Sequence, residues 1–337
     1  MSDVNRFLSW LIASAWIFFS VSYSAVAEDK KITLAVPGIP PVFQTVHVFV
    51  AEKQGFFKKY GVDVTVRPFD TGVAAARAVA AGEIDITVSP TPAIVNMTSN
   101  ADVKLVGIYG QENPDWLIGS TDPGLASCKD IAGKPVGVDT VGGARAVALA
   151  QMIKSCGLKT DDVNLVSLSS NVGSAMIAGQ IKIGVLHLDD VPQIEAQTNR
   201  PLTVITTLKK VNPISHYNLY AVTADRLKQD RNAFVRLLAA LIEAGDYLRD
   251  PKNADRVAEI ATVTGRSAAE AKTALKAYID MDFWPNRTDG LTRQNIESVV
   301  KTQAAIGGIR PGKTPVTYDH LIDPSLWKDA LALTKAR

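Results

Sequence analysis

Hydrophobic and polar residues alternate in the same way in two separate stretches of the chain. Residues 81–88 have the sequence AGEIDITV and residues 178–185 have AGQIKIGV, so five of the eight positions are identical. In each stretch a run of small residues ends at a glycine, which commonly terminates a helix in the left-handed conformation. The alternating β-branched residues that follow predict a short buried strand.

The elements predicted upstream of the two stretches come in the same order. A strand, a helix, a second strand and a second helix are predicted at 32–36, 43–60, 62–68 and 73–81, and again at 135–138, 144–156, 163–168 and 172–178. A turn is predicted after each stretch, at 89–92 and 187–192. This repeated β-α-β-α-β order indicates two related α/β lobes.

Two polar breaks divide the chain between these lobes. The first, 111–115, separates strands predicted at 105–109 and 116–119, and the second, around Asn212-Pro213, separates strands predicted at 203–207 and 217–222. We therefore predict two crossovers, a first lobe formed by residues 28–116 and 216–337, and a second lobe formed by residues 117–215. The last part is predicted to be mostly helical, at 225–249, from the capping box at Ser267 to 279, at 292–306 and at 324–336.

Composition and charge fit a globular chain of about two domains. The 337 residues are 47% hydrophobic and 21% charged, which provides enough apolar side chains for a core. A net charge of +2, without long basic runs, argues against nucleic-acid binding.

The first 27 residues have the features of a signal peptide. Arg6 precedes fifteen uncharged residues, and Ala25-Val26-Ala27 matches the small-x-small cleavage rule. We predict export, cleavage after Ala27 and a mature chain that is not embedded in the membrane. An uncleaved anchor is the alternative, because residues 7–27 just reach the length of about 20 residues that spans a bilayer.

The chain has two cysteines, Cys128 and Cys156. An oxidising compartment permits a disulfide, and the two positions fall at the same edge of the predicted second sheet. We predict that they are bonded, which would stabilise the fold by roughly 3–4 kcal/mol. Two buried free thiols are the alternative, and the spacing excludes a CxxC redox or metal pair.

No sequence motif for catalysis or metal binding is convincing. Residues 307–314, GGIRPGKT, satisfy the phosphate-loop pattern, but a predicted helix precedes them and an extended segment follows, so we predict a surface loop. HExxH, GxSxG and Cys/His metal spacings do not occur, and the four histidines are scattered. We therefore expect a protein without catalytic residues, metal or cofactor.

The predicted architecture instead favours a ligand-binding cleft. Ligands of open α/β sheets bind beyond the carboxyl ends of strands, where helix N-termini point outward. Two such lobes would face each other across a cleft between the crossovers. The residues predicted to contact the ligand are Pro41, Phe43, Gln44, Thr71, Gly72, Ser89, Thr91, Asn113, Trp116, Thr140, Gly142, Gly143, Ala144, Asn171, Asp189 and His216.

Several of these residues carry conflicting information about the ligand. Gly142-Gly143 at a helix N-terminus suits a carboxylate or sulfonate, and Arg145 would assist. Phe43 and Trp116 would form an apolar wall. Asp189 and Asp190 would instead favour an amine or a ring N–H. Together these features predict a small anionic or zwitterionic organic solute.

Several segments resemble the periplasmic solute-binding proteins of the sulfonate, taurine, nitrate and thiamine-pyrimidine (NMT1/SsuA-like) group. They are AEKQGFF at 51–57 with YGVDV at 60–64, AGEID at 81–85, AGKPVGV at 132–138 and GLKTDDV at 157–163. The resemblance covers about 31–280 and implies a type II periplasmic-binding-protein fold. Lys182 departs from it, because the family often has an aspartate at this second Gly-x-Ile-Asp position.

The resemblance also implies a function. A periplasmic, monomeric protein of this kind closes around its solute by hinge motion and delivers it to an ABC permease with its ATPase. One alternative is a pyrimidine-synthase-like enzyme of the same fold, but that branch is associated with clustered cysteines and a histidine that this sequence lacks. A second alternative is a protein that presents its ligand to a membrane sensor.

Overall fold

The computed structural model describes residues 30–101, 103–139, 144–168, 172–285 and 287–335. Its strands are β1 Lys30–Pro37, β2 Val62–Phe69, β3 Ile86–Pro90, β4 Leu105–Gln111, β5 Leu117–Ser120, β6 Pro135–Val138, β7 Asn164–Ser167, β8 Ile183–Leu186, β9 Thr203–Thr207 and β10 Asn218–Thr223. They form two separate five-stranded sheets, in the orders β2-β1-β3-β10-β4 and β7-β6-β8-β5-β9.

Helices cover both faces of each sheet. They are α1 Val46–Lys53, α2 Phe56–Lys59, α3 Gly72–Ala80, α4 Thr91–Asn100, α5 Ala144–Lys154, α6 Val172–Ile177, α7 Asp190–Thr198, α8 Leu208–Val211, α9 Ala224–Arg249, α10 Ala254–Ala261, α11 Ala268–Asp280, α12 Arg293–Ala305, α13 Tyr318–Leu321 and α14 Ser325–Lys335. A short 3₁₀ helix, Phe43–Thr45, precedes α1. No helix in these described ranges is long and apolar enough to cross a bilayer.

The internal repeat predicted from the sequence is confirmed by matching backbone geometry. Gly82 and Gly179 both have a left-handed φ, of 76° and 72°. After α3, the amide of Gly82 bonds to Val79 O and the amide of Glu83 to Ala78 O; after α6, Gly179 and Gln180 make the same pair of bonds to Met176 and Ala175. Both pairs form the Schellman motif, which satisfies the last carbonyls of a helix.

The two sheets also share their pairing pattern. The strands that end the two repeats, β3 and β8, each pair in parallel with the first strand of their own repeat, β1 and β6, and each has an antiparallel neighbour on the other side, β10 and β5. Alternate side chains reach opposite layers, as in β1, where Leu34 and Val36 pack under α9 while Ala35 packs against α3. The type II arrangement of two α/β lobes is therefore present in the described chain.

Two short segments carry the chain between the sheets, as predicted. Residues 112–116 connect β4 to β5, and residues 212–217 connect the end of α8 to β10. The segments lie side by side, because the amide of Tyr217 donates to Gln111 O at 2.9 Å and the rings of Tyr217 and Trp116 contact edge to face. The two predicted crossovers are therefore present, while the lobe boundaries after residues 116 and 215 stay predictions.

The helices that follow β10 pack mainly on the first sheet. Helix α9 buries one side against α1 and the sheet, with Leu237, Leu238 and Leu241 at most 3% exposed. Each such leucine contributes about 1.5–3 kcal/mol of burial free energy. Helix α12 packs with α4 on the opposite face. The predicted packing of a helical C-terminal part on the first lobe is confirmed.

Three local predictions were wrong. The helix predicted over 43–60 is broken because Gly55 adopts a left-handed conformation between α1 and α2. The turns predicted at 89–92 and 187–192 contain the first residues of α4 and α7, in which Pro92 and Pro192 occupy early positions that need no amide donor.

The disulfide between Cys128 and Cys156 is formed, with the two Cα atoms 6.1 Å apart. Cys128 opens a short 3₁₀ helix before β6, and Cys156 lies just beyond α5. The bond therefore joins the entrance of β6 to the end of the helix that packs on it.

The phosphate-loop pattern at 307–314 lies in a loop, as predicted. Helix α12 precedes it and an extended segment leading to α13 follows, so the strand-loop-helix context of a nucleotide site is missing there. The loop packs on α4, since the amide of Arg310 donates to Asn100 at 2.8 Å and the amide of Val316 donates to Ser99 at 3.0 Å.

Two buried histidines make the fold sensitive to acid. Burial, reinforced by Arg249, lowers the pKa of His47 to about 3. Burial also lowers the pKa of His216 to about 4, although Gly290 O and Glu112 oppose this. An unfolded histidine titrates near 6.5, so below that pH the unfolded chain binds protons that the folded chain does not. As the pH drops from about 6 to 5, each of the two histidines should lower the free energy of unfolding by about 1.4 kcal/mol.

Urea unfolding at pH 7, 6 and 5 tests this prediction. His47→Gln should reduce the slope of unfolding free energy against pH, because one of the two titrating groups is removed. His320→Gln is the matched control, since His320 is exposed. An unchanged slope in the His47 variant would contradict the assignment.

Candidate ligand-binding site

A buried polar cluster fills the junction between the two sheets. Gln44 comes from the 3₁₀ helix after β1, Asp115 from the first crossover, His187 from the residue after β8, and Tyr278 from α11. The main chain of Gln44 is fixed from two sides, because the side chains of Gln111 and Trp284 donate to its carbonyl at 3.0 and 2.9 Å. Both lobes and the first crossover thus contribute to one site.

The four side chains meet at one carboxylate oxygen, Asp115 Oδ2. His187 Nδ1 lies 2.9 Å from it, and Gln44 Nε2 and Tyr278 OH both donate to it. Gln44 Nε2 is also 2.9 Å from His187 Nδ1. Asp115 belongs to the crossover, whereas Gln44 and Tyr278 lie on the first lobe and His187 on the second. The network therefore links both lobes to the hinge.

The surroundings of Asp115 favour the ionised form of its carboxyl group. Its burial by itself raises the pKa, but the interactions with His187, Tyr278 and Gln44 outweigh that effect and hold the pKa of Asp115 below its ordinary value. The residue is only 2% exposed. A buried carboxylate that keeps its charge requires several hydrogen-bond donors around it.

Arg266 bridges the lobes beside this network. It lies just before α11, and its Nη2 donates at 2.6 Å to both Asp189 and Asp190 at the start of α7. It also donates to Gln193. Burial opposes its charge, but the two aspartates raise the pKa of Arg266 further above its usual range. Tyr278 OH adds a bond to Asp189 at 2.9 Å.

The pKa values of Asp189 and Asp190 shift in opposite directions. Burial and the neighbouring charge of Asp190 raise the pKa of Asp189, although Arg266 opposes them. For Asp190, burial is outweighed by Arg145 and Arg266, which lower its pKa. Arg145 lies 3.6 Å from Asp190, donates to Val185 O at 2.5 Å, and sits 5.2 Å above the Trp116 ring. Both guanidinium groups are thus engaged by protein atoms.

Aromatic rings surround the polar cluster. Trp116 stacks on His187 with ring centroids 3.7 Å apart, and Phe43 packs on Tyr278 at 5.1 Å. Phe283 contacts Tyr278 edge to face. These rings lower the local dielectric, which strengthens each hydrogen bond of the cluster and increases the cost of any unpaired polar atom.

The structure brings together some of the residues predicted as ligand contacts. Phe43, Gln44, Trp116 and Asp189 lie in or against the polar cluster. Pro41 is buried in the turn that leads into it, and Asn113 donates to Met281 O at 2.7 Å near the crossover. Ala144 is the exposed first residue of α5. Thr140, Gly142, Gly143 and Asn171 lie outside the described residues.

The other predicted contacts form a second group at the edge of the first sheet. Ser89 Oγ donates to Gly72 O at 2.7 Å, and Gly72 is needed there because a Cβ would lie 2.5 Å from Pro90. Thr91 Oγ1 lies 2.7 Å from His216 Nδ1, while His216 Nε2 donates to Gly290 O. Thr71 caps α3 through the amide of Ala74. These side chains have structural partners within the protein.

Asp115, His187, Tyr278 and Arg266 were absent from the set of predicted ligand contacts. Asp115 and His187 fall within strand-end turns that the sequence identifies, but nothing local distinguishes a buried aspartate from an exposed one. Tyr278 and Arg266 belong to the C-terminal helices, which the sequence places on the first lobe without indicating that α11 faces α7.

The sequence profile of a family described as NMT1/THI5-like matches residues 42–254, which is more than half of the chain. The chain belongs to the NMT1/THI5-like family. The resemblance inferred from the sequence motifs is confirmed.

Two curated relatives share part of this family sequence. A protein of Brucella abortus, provisionally named as a binding protein, is 28% identical over 224 residues, covering 66% of this chain and 69% of the relative. A Haemophilus influenzae protein, provisionally named as a thiamine biosynthesis protein, is 25% identical over 210 residues, covering 61% of this chain and 65% of the relative.

Two solved structures share the fold across almost the whole chain. The periplasmic aliphatic sulphonate-binding protein SsuA of Escherichia coli has a TM-score of 0.67 at 15% identity, covering 89% of this chain and 99% of SsuA. The periplasmic nitrate-binding protein NrtA of Synechocystis has a TM-score of 0.70 at 12% identity, with coverages of 92% and 90%. Together with the sheet orders, these similarities confirm the predicted periplasmic-binding-protein fold of this NMT1/THI5-like protein.

The described residues of this family member contain no group of three or more His, Cys, Asp or Glu side chains arranged to hold a metal ion. Asp115, His187, Asp189 and Asp190 lie near one another, but they are bonded to Tyr278, Gln44 and Arg266. The cluster can bind a solute through hydrogen bonds, charge and ring stacking.

Proposed function

We propose that this chain is the extracytoplasmic substrate-binding protein of an ABC-type importer. It would capture a small anionic or zwitterionic organic solute, of sulfonate, carboxylate or pyrimidine-like chemistry, between the two lobes. The observation that carries the proposal is the buried junction of Gln44, Asp115, His187 and Tyr278, in which both lobes and the crossover contribute to one polar site. The names of the Brucella relative, SsuA and NrtA support a binding role.

Hinge closure would provide the mechanism. The two crossovers are short and adjacent, so rotation about them separates the lobes without disturbing either sheet. A solute that contacts both lobes binds the closed form more tightly and shifts the population toward it. A permease that recognises the closed form then receives only loaded protein, and no covalent step is needed.

The alternative function is an enzyme of pyrimidine-synthase type, which the name of the Haemophilus relative supports. Two features favour binding. Both cysteines are joined in a disulfide at the start of β6, so neither is a free thiol at the site. The proposed signal peptide would also direct the chain out of the cytoplasm. Presentation of the ligand to a membrane sensor uses the same closure and differs only in the receiving protein.

Export is tested by expressing the full chain in a Gram-negative host and fractionating the cells. We expect the periplasmic fraction to contain a protein whose first residue is Glu28, because the segment before it has the charge, apolar core and cleavage site of a signal peptide. A cytoplasmic protein that retains Met1 would contradict both the export and the importer role. Ala27→Arg is the matched variant, which should block cleavage at this site.

Solute capture is tested on the mature protein with a panel of sulfonates, nitrate, carboxylates and pyrimidines. At a ligand concentration of 100 times Kd, binding stabilises by about 2.7 kcal/mol, which gives a measurable rise in melting temperature. Small-angle X-ray scattering should show a smaller radius of gyration in the presence of the same compound. Chemical conversion of the compound would favour the enzyme instead.

A further inference from the structure

The acidic groups at the lobe junction are not equally available to a ligand. Asp189 and Asp190 are each bound by Arg266 at 2.6 Å, and Asp190 is also close to Arg145. Their charges are therefore compensated by protein cations. The amine or ring N–H that the sequence assigns to these two aspartates would have to displace Arg266.

Two other acceptors at the same junction have no such compensation. Within the described chain, Gln44 Oε1 and Asp115 Oδ1 are buried and have no hydrogen-bond partner. The side chains that carry them touch each other and are 1% and 2% exposed. Leaving a buried acceptor unpaired costs about 1–3 kcal/mol, and more for a charged group, so a donor is expected at each of these two oxygens.

The distribution of charged groups at the junction also favours a hydrogen-bond donor next to Asp115. Three buried carboxylates, on Asp115, Asp189 and Asp190, share two guanidinium groups, on Arg145 and Arg266. Both guanidiniums interact with Asp189 or Asp190, whereas among the described residues Asp115 faces the ring of His187, whose Nδ1 lies 2.9 Å from Asp115 Oδ2. A bare oxyanion placed against Asp115 would meet a carboxylate.

The start of α5 is also already occupied by an acidic group. The amide of Arg145 donates to Asp139 Oδ2 at 3.3 Å, so a carboxylate of the protein lies at the helix terminus that the sequence assigns to an anionic ligand. Its second oxygen, Asp139 Oδ1, is another buried acceptor that lacks a partner in the described chain.

We propose that the solute places a hydrogen-bond-donating nitrogen, an ammonium, amino or ring N–H group, against Asp115 Oδ1 and Gln44 Oε1. This inference rests on the proposed binding function and narrows its ligand to donor-bearing, zwitterionic or amino-substituted solutes. Nitrate and simple alkanesulfonates have no such donor and are excluded. Trp116 and Phe43 are the rings next to which the rest of the solute would pack.

The test uses pairs of compounds that differ in the nitrogen donor: taurine and ethanesulfonate, β-alanine and propionate, 4-aminopyrimidine and pyrimidine. Nitrate is included as a bare oxyanion. Calorimetric titration of the mature protein gives the affinity for each compound. We expect a donor-bearing member to bind at least about tenfold more tightly than its partner, which corresponds to about 1.4 kcal/mol.

Two variants connect the preference to the proposed atoms. Asp115→Asn, which replaces a carboxylate by an amide of the same shape, should weaken binding of the donor-bearing compound by about tenfold or more. Gln44→Met removes the second acceptor and should also weaken it. Asp230→Asn is the control, because Asp230 pairs with Arg226 and Lys30 away from the junction and should leave affinity unchanged.

The outcomes separate this inference from the proposed function. If the nitrogen-free compounds or nitrate bind as tightly or more tightly, the donor assignment is overturned while the binding function stands. Equal affinity of the wild type and both variants for a donor-bearing compound overturns it as well. If no compound of either kind binds, the donor assignment fails for these solute classes and the proposed binding function also loses its support.

Discussion

Arg266→Gln is expected to open the ligand-free protein. The side chain of Arg266 joins α11 of the first lobe to Asp189 and Asp190 of the second, and it is 15% exposed. Removing one partner of a buried ion pair costs about 3–5 kcal/mol, because the remaining charges stay buried without compensation. Opening exposes the two aspartates to water, so the ratio of closed to open molecules should fall by roughly two to three and a half orders of magnitude.

The opening is measurable without a ligand. The radius of gyration from small-angle X-ray scattering and the spin-label distances between the lobes should both increase in the variant. The far-ultraviolet circular dichroism spectrum should stay the same. Arg256→Gln is the matched control, since the ion pair that Arg256 forms with Glu259 lies exposed within α10. Equal interlobe distances in the wild type and the Arg266 variant would show that this contact does not control closure.

Removal of the disulfide should cause the second large effect. Replacing both Cys128 and Cys156 by serine releases a loop with a sequence separation of 28 residues. In the chain-entropy description this lowers the free energy of unfolding by roughly 3–4 kcal/mol. Urea unfolding should therefore shift to lower denaturant concentration in the double variant.

A reducing agent supplies the internal comparison for the disulfide. It should destabilise the wild-type protein by a similar amount and leave the double serine variant unaffected. If the wild-type unfolding curve is identical with and without reductant, the bond contributes no stability under those conditions.

The strands and the repeat could be predicted because their signals are local. A glycine followed by alternating β-branched residues placed β3 and β8 correctly, and the same pattern identified the helix-ending turns at Gly82 and Gly179. The early residues of α4 and α7 were missed because Pro92 and Pro192 suggest a turn, whereas proline is equally suited to the first turn of a helix. The helix predicted over 43–60 was also wrong, because the apolar spacing continues across Gly55, where the backbone turns left-handed and the helix breaks.

The candidate site was predictable only where it follows strand ends. Gln44, Trp116 and Asp189 lie beyond β1, β4 and β8, and the rule that ligands bind at such ends selects them. Tyr278 and Arg266 reach the junction because α11 packs against α7, and no local pattern encodes a contact between segments so distant in sequence. Whether the predicted residues bind solute is a matter for the titrations described above.

The position of β10 has a consequence for the order in which the molecule can assemble. Strand β10 lies between β3 and β4, so the first sheet lacks one of its central strands until residue 223 has been synthesised. All five strands of the second sheet, by contrast, lie within one continuous piece of chain from Leu117 to Thr207. On the growing polypeptide the second sheet can therefore be completed before the first. Until β10 is added, β3 and β4 each keep an unpaired strand edge, the kind of surface on which chaperones act.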